Sequence, residues 1–139
     1  MTLWRALTKG AVTTAPSSDD PDLCGRTYTI PFGDVWDAVV RLTAGGLRGW
    51  KMIRWDDDTG LVEAEVNGRI LNLTSDISVS VTLDVNAQTR VDLAALKRGR
   101  LGDLGANRRR VRRFVRELDR ELNASEDQIL RTGRMGSAA

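Results

Sequence analysis

Ile77-Ser78-Val79-Ser80-Val81-Thr82-Leu83-Asp84-Val85 is the stretch that decides the fold. Apolar and polar residues alternate with a period of two, so an extended chain here puts Ile77, Val79, Val81, Leu83 and Val85 on one face. A strand with one dry and one wet face belongs to an antiparallel sheet whose dry face must be covered by other elements. Downstream, Asn86 to Thr89 reads as a turn, and Val91, Leu93 and Ala95 resume the alternation to about Leu96. Upstream, Leu61 opens a strand with Val62, Ala64 and Val66 on one side and Glu63 and Glu65 on the other. Asn67-Gly68 fits a tight hairpin turn and equally a bulge in one long bent strand through Leu73. Trp50 to Trp55 is a further strand, with Met52 and Ile53 on opposite faces, and Asp56-Asp57-Asp58-Thr59-Gly60 joins it to Leu61 as a hairpin loop. Arg26 to Pro31 reads as the first strand, stopped by proline.

Two helices bracket these strands. Val35, Val39 and Leu42 form a stripe over Asp34 to Ala44, widened by Trp36 and Val40 and ended by Gly45-Gly46. Val111, Phe114, Val115, Leu118 and Leu122 recur at i, i+3, i+4, i+7 and i+11, the signature of a longer amphipathic helix that Asp103 would cap. Beyond Asn123, Ser125 and Gln128 have the spacing of a capping box around one more turn. The expected architecture is α+β in the order β-α-β-β-β-β-α: an antiparallel sheet of four to five strands with two helices packed on one face. Three segments follow: an arm and linker over 1–24, one domain over 25–122, and a tail over 123–139.

Composition limits the chemistry. The chain of 139 residues carries one cysteine, Cys24, and no histidine. It therefore lacks the commonest general base and metal ligand, and it has neither a Ser-His nor a Cys-His nucleophile nor a thiolate cluster. No catalytic residue, cofactor or metal is expected, and Cys24 reads as an inert small residue. No apolar run approaches the ~18 residues that span a bilayer, and the first residues lack the apolar core of a secretory signal. The expected location is cytoplasmic, with a peripheral position at the inner face of the membrane.

Several features compete for a binding role. Asp56, Asp57 and Asp58 read as a solvated turn before a cation site, because their spacing matches no Ca²⁺ loop. Arg69 and Asp76 could pair between neighbouring strands. Asp103, Leu104, Gly105 and Asn107 open the last helix, where a cap is preferred over an anion site because a capping carboxylate would compete with an incoming anion. Arg108, Arg109, Arg110, Arg112, Arg113, Arg116 and Arg120 crowd the same helix, several of them at the end where the helix dipole disfavours cations. Acids at Glu63, Glu65 and Asp56–Asp58, or a partner, must offset that cost. Near the N-terminus Leu3, Trp4, Leu7 and Ala11 share one helical face, with Arg5 and Lys9 elsewhere on the wheel.

The stretches R-T-Y-T-I-P then D-V-W-D-A-V, S-D-I-S-V-S-V, and above all G-R-L-G-D-L-G-A-N-R-R-R-V-R-R-F-V resemble a bacterial and chloroplast family of domains of unknown function, the fourteen-ninety-nine family. The resemblance spans Cys24 to Leu122, and D-L-G-x-N-x-R-R at Asp103 to Arg110 is its most specific signature. The resemblance implies a fold but no activity. The family's serine- and arginine-rich last strand reads Leu93-Ala94-Ala95-Leu96-Lys97-Arg98-Gly99 here, and its paired acids before the preceding strand read Ser75-Asp76. A shared polar site would be weakened by both changes, which favours an interaction role.

The expectation is a non-catalytic interaction protein, an accessory or stabilising subunit of a larger complex. The chloroplast members, the basic helix and the Trp4 patch point to a membrane-embedded, photosynthetic assembly approached from the cytoplasmic side. Its contact residues would be Leu3, Trp4, Arg5, Leu7 and Lys9 on the arm, and Arg108, Arg109, Arg112, Arg113 and Arg116 on the helix. The partners would be other protein subunits, with peripheral contact to anionic lipid. Nucleic acid is disfavoured, since no recognised module is present. The alternative is a small apolar-ligand or lipid binder of helix-grip type, with Trp36, Trp50 and Trp55 lining a cavity.

Overall fold

The computed structural model describes residues 12–15, 24–67, 74–97 and 104–130. Its strands are β1 (Val12–Thr13), β2 (Arg26–Tyr28), β3 (Trp50–Asp56), β4 (Leu61–Asn67), β5 (Thr74–Leu83), β6 (Thr89–Lys97) and β7 (Ile129–Leu130). The helices are α1 (Phe32–Arg41), which widens into a π turn over Leu42–Gly46, and α2 (Leu104–Glu121). The strands form one antiparallel sheet in the order β3-β4-β5-β6-β2-β7, with β1 also on β6. The class is α+β as expected, but the sheet has more strands than the four to five read from the sequence.

The alternating stretch performs as its pattern requires over most of its length. Ile77, Val79 and Val81 are buried and lie in register with Ala64 and Val62 of β4 and with Ala95, Leu93 and Val91 of β6. Val35 and Val39 of α1, and Val111, Phe114 and Leu118 of α2, close over that face in one apolar core. The alternation outruns the sheet. Strand β5 ends at Leu83, which is 59% exposed, and Val85 is 100% exposed in the turn to β6. Among the described residues no strand or helix covers them. At the other end, Asn67 faces Thr74 across β4 and β5, so the chain reverses between them. A single bent strand through Leu73 is thereby excluded, and a two-residue turn at Asn67-Gly68 does not fit that register.

The arm and tail boundaries shift inward. Val12 and Thr13 pair with Ala95 and Ala94, and Arg26 to Tyr28 pair with Val91 to Thr89 further along the same edge. Strands β1 and β2 thus behave as one edge strand interrupted between Ala15 and Cys24. The Arg90 guanidinium fastens the return, donating to the Cys24 carbonyl, to the Asp92 carboxylate and to Thr27 Oγ1. Asp92 also accepts from Thr14 Oγ1 at 2.8 Å. Gly25, at φ +72°, fits only without a Cβ, which would meet Asp92 Oδ1 at 2.7 Å. On the C-terminal side the spacing of Ser125 and Gln128 does cap a turn: Gln128 Oε1 accepts the Ser125 N–H at 3.0 Å. That turn delivers β7 onto β2, so residues 126–130 belong to the domain and not to a tail.

Candidate functional site

Helix α2 carries seven arginines against three carboxylates. At about 100° per residue, Val111, Phe114, Val115 and Leu118 cluster on one side of the wheel. Arg109, Arg113, Arg116 and Arg120 recur at i, i+4, i+7 and i+11 and fall within an arc of about 60° on the opposite side. All four are exposed, while Val111, Phe114 and Leu118 are fully buried. The apolar stripe therefore sets which way the arginines face.

Polar contacts at both ends of α2 prevent it from rolling. Near its start, Arg110 Nη1 donates to Ser75 Oγ at 2.7 Å and to Asn107 Oδ1 at 3.0 Å, and Ser75 Oγ donates to the same Oδ1 at 2.8 Å. Near its end, Asp119 accepts from Arg26 Nε and Nη2 at 3.1 and 2.6 Å and from the Tyr28 hydroxyl at 2.5 Å. Tyr28 is fully buried, so burial first and the Asp119 carboxylate second raise its phenol far above the ordinary range. Arg41 of α1 reaches Glu121 at 3.9 Å.

The acids nominated from sequence to neutralise the arginines lie elsewhere. Glu63 and Glu65 sit on the sheet face away from α2, opposite Arg54 and Lys51 in register, and Arg54 Nη2 meets Glu63 at 2.6 Å. In the β3–β4 hairpin, Asp56 Oδ1 accepts the Asp58 N–H at 2.9 Å, and Asp57 Oδ1 accepts from Trp36 Nε1 at 2.8 Å. These carboxylates shape a turn and dock it on α1, and the described residues contain no cluster suited to a metal ion. On the ridge itself, Arg120 pairs with Glu117 at 3.4 Å, an exposed i, i+3 contact. Arg113 and Arg116 have no ion-pair partner among the described residues.

The nominated contact residues therefore divide. Arg109, Arg113 and Arg116 come together on the ridge, joined by Arg120, which the i+11 spacing could have added. Arg108 is exposed on the flank of α2 and Arg112 is half-buried beside it. Leu3, Trp4, Arg5, Leu7 and Lys9 lie outside the described residues, as do Arg69 and Asp103. The Tyr28–Asp119–Arg26 cluster was not found by sequence reasoning, since it joins residues more than ninety positions apart. The three tryptophans named for a ligand cavity also separate. Trp36 and Trp50 are core residues, Trp50 lying 5.2 Å from the Phe114 ring, whereas Trp55 is 56% exposed on the edge strand. An open, polar cleft of about 380 Å³ lies between the start of α1 and the end of α2, lined by Asp34, Asp37, Arg41 and Glu121 among others. No helix among the described residues is long and apolar enough to cross a membrane.

A family model described as "Protein of unknown function (DUF1499)" matches residues 9–118, from within the arm to the last buried leucine of α2. A search of curated proteins returns no match.

Proposed function

The chain belongs to the DUF1499 family of proteins of unknown function, and from its geometry we propose that it is a non-catalytic accessory subunit that docks through α2 onto an acidic protein surface. The observation that carries the reading is the ridge of Arg109, Arg113, Arg116 and Arg120, held outward by a buried stripe and anchored at both ends. Guanidinium groups at this spacing offer bidentate donors in a row, which suits carboxylates on a partner's helix or strand. The ridge costs the free protein through like-charge repulsion along one helix face, and an acidic partner relieves that cost. The N-terminal patch of Leu3, Trp4 and Leu7 is the second contact in this proposal, adding buried apolar surface to the ridge's polar contacts. A membrane-embedded, photosynthetic assembly bound from its cytoplasmic side is the narrower form of the same reading.

The test is the double variant Arg113→Glu/Arg116→Glu, compared with wild type for association with gently solubilised native membranes and, separately, with anionic and neutral vesicles. Both side chains are exposed, so stability should stay within about 0.5 kcal/mol of wild type. Association should fall sharply in the variant and weaken in wild type as salt is raised. Retention of binding in the variant would sink the proposal. Binding of anionic vesicles alone would replace the protein partner with a lipid one.

A further inference from the structure

We infer that β3 is the contact strand of a two-fold homodimer in which two copies join their sheets edge to edge. β3 is the outer strand of the sheet, and among the described residues no strand pairs with its far side. Ile53 and Trp55 are exposed along it. The register locates the backbone groups that face outward. The Gly49 carbonyl accepts from the Asn67 N–H at 3.0 Å and the Asp56 carbonyl from the Gly60 N–H at 2.9 Å, so at both positions the chain turns toward β4. Backbone groups alternate sides along an antiparallel strand. Counting on from Gly49, Lys51 faces β4 and Met52 faces the open edge. Counting back from Asp56, Trp55 faces the open edge as well. The two counts agree because of a bulge: Met52 lies opposite Ala64 and Arg54 opposite Glu63, which leaves Ile53 as the extra residue. The Trp50 N–H, which also faces outward, is taken up by the Leu47 carbonyl at 3.2 Å.

A second copy fits that edge. Turned about a two-fold axis between Ile53 and Arg54, it sets Met52 of each protomer opposite Trp55 of the other, each pair exchanging N–H and C=O. Met52 and Trp55 lie in register with Ala64 and Val62 on the apolar face of the sheet, so there each thioether meets an indole. On the other face Lys51 of each protomer comes opposite Asp56 of its partner, and the charges are complementary. Arg54 and its copy lie near the axis, where each guanidinium keeps its own Glu63 at 2.6 Å. Edge charges and a bulge discourage indiscriminate strand addition. A copy of the same strand meets both conditions, because it repeats the span from Met52 to Trp55 and presents the opposite charge at each end. α2 packs chiefly over β6 and β1, so this contact is separate from the arginine ridge.

Sedimentation of the full chain from about 1 μM to 1 mM should show a rise from the 15.3 kDa monomer to the dimer. Amide hydrogen exchange over the same range should slow most at Met52 and Trp55. Lys51→Asp and Asp56→Lys should each weaken the dimer about tenfold or more, since each sets like charges opposite one another on both sides of the axis. Mixed in equal amounts, the two variants should pair again as a heterodimer, because every contact between positions 51 and 56 then joins opposite charges. A chain that stays monomeric to about 1 mM, or a dimer whose protection bypasses Met52 and Trp55, overturns the proposal. So does a mixture of the two folded variants that associates no better than either alone. If Asp56→Lys unsettles the hairpin turn that its carboxylate shapes, the wild-type sedimentation and exchange decide the matter.

Discussion

Replacing Asp119 by alanine tests whether the end of α2 is held by the contact that the geometry indicates. The carboxylate accepts three hydrogen bonds, two from Arg26 and one from Tyr28. Arg26 and Asp119 keep 28% and 21% of their side-chain surface in solvent, so their ion pair is partly screened and contributes about 0–1 kcal/mol. Tyr28 is different, because its hydroxyl is buried and loses its acceptor, which costs about 1–3 kcal/mol. Asp119→Ala should therefore destabilise by about 2–3 kcal/mol. Tyr28→Phe removes the hydroxyl but leaves Asp119 with Arg26, and should cost about 1 kcal/mol. In the double variant no orphaned hydroxyl remains, so its cost should fall short of the sum of the singles by about 1–2 kcal/mol. Urea unfolding followed by tryptophan fluorescence, to which the buried Trp36 and Trp50 contribute, measures each term at constant m-value. Strict additivity of the two substitutions, or a cost below about 0.5 kcal/mol for Asp119→Ala, would show that this carboxylate does not hold the helix through the phenol.

Two further outcomes follow from the core and from the buried phenol. Phe114→Ala should cost about 3–5 kcal/mol in the same assay, because the ring is fully buried where both helices meet the sheet. Burial and the Asp119 carboxylate raise the Tyr28 phenol above its unfolded value of 10.0. Its contribution is fully present below that pH and is lost as pH rises toward the folded value, so wild type should lose stability above pH ~10. Tyr28→Phe should flatten that alkaline slope in pH-dependent urea titrations.

Most of the sheet and both helices were legible because their patterns are local. Alternation across 77–81 and 91–95 and the 111–118 stripe each state which face is dry, and one covered face follows from stacking them. Pattern failed where burial depends on the extent of the neighbours. Leu83 and Val85 continue the alternation but are exposed, with no described element above them, and Ile53 falls at the break in register between Met52 and Arg54 and is exposed. Strands of two residues, β1 and β7, carry no periodicity, so only their partners reveal them, whereas β2 lies within the strand read from Arg26 to Pro31. The candidate surface shows the same division. The spacing of Arg109, Arg113 and Arg116 is visible on a wheel, but the remoteness of Glu63 and Glu65 is not.

By itself the sequence determined the α+β class, the covered face of the sheet, the capped turn at Ser125, and the absence of histidine chemistry, since each depends on residue type and short-range spacing. Tertiary structure alone decided that residues 12–14 and 126–130 complete the sheet's edge, that Asp119 is bound by Arg26 and Tyr28, and that one amide nitrogen of Asn107 is buried without a partner. These are meetings of residues far apart in the chain. Hydrogen-bond partners at such separations are chosen by how the elements pack, and no local pattern records that choice.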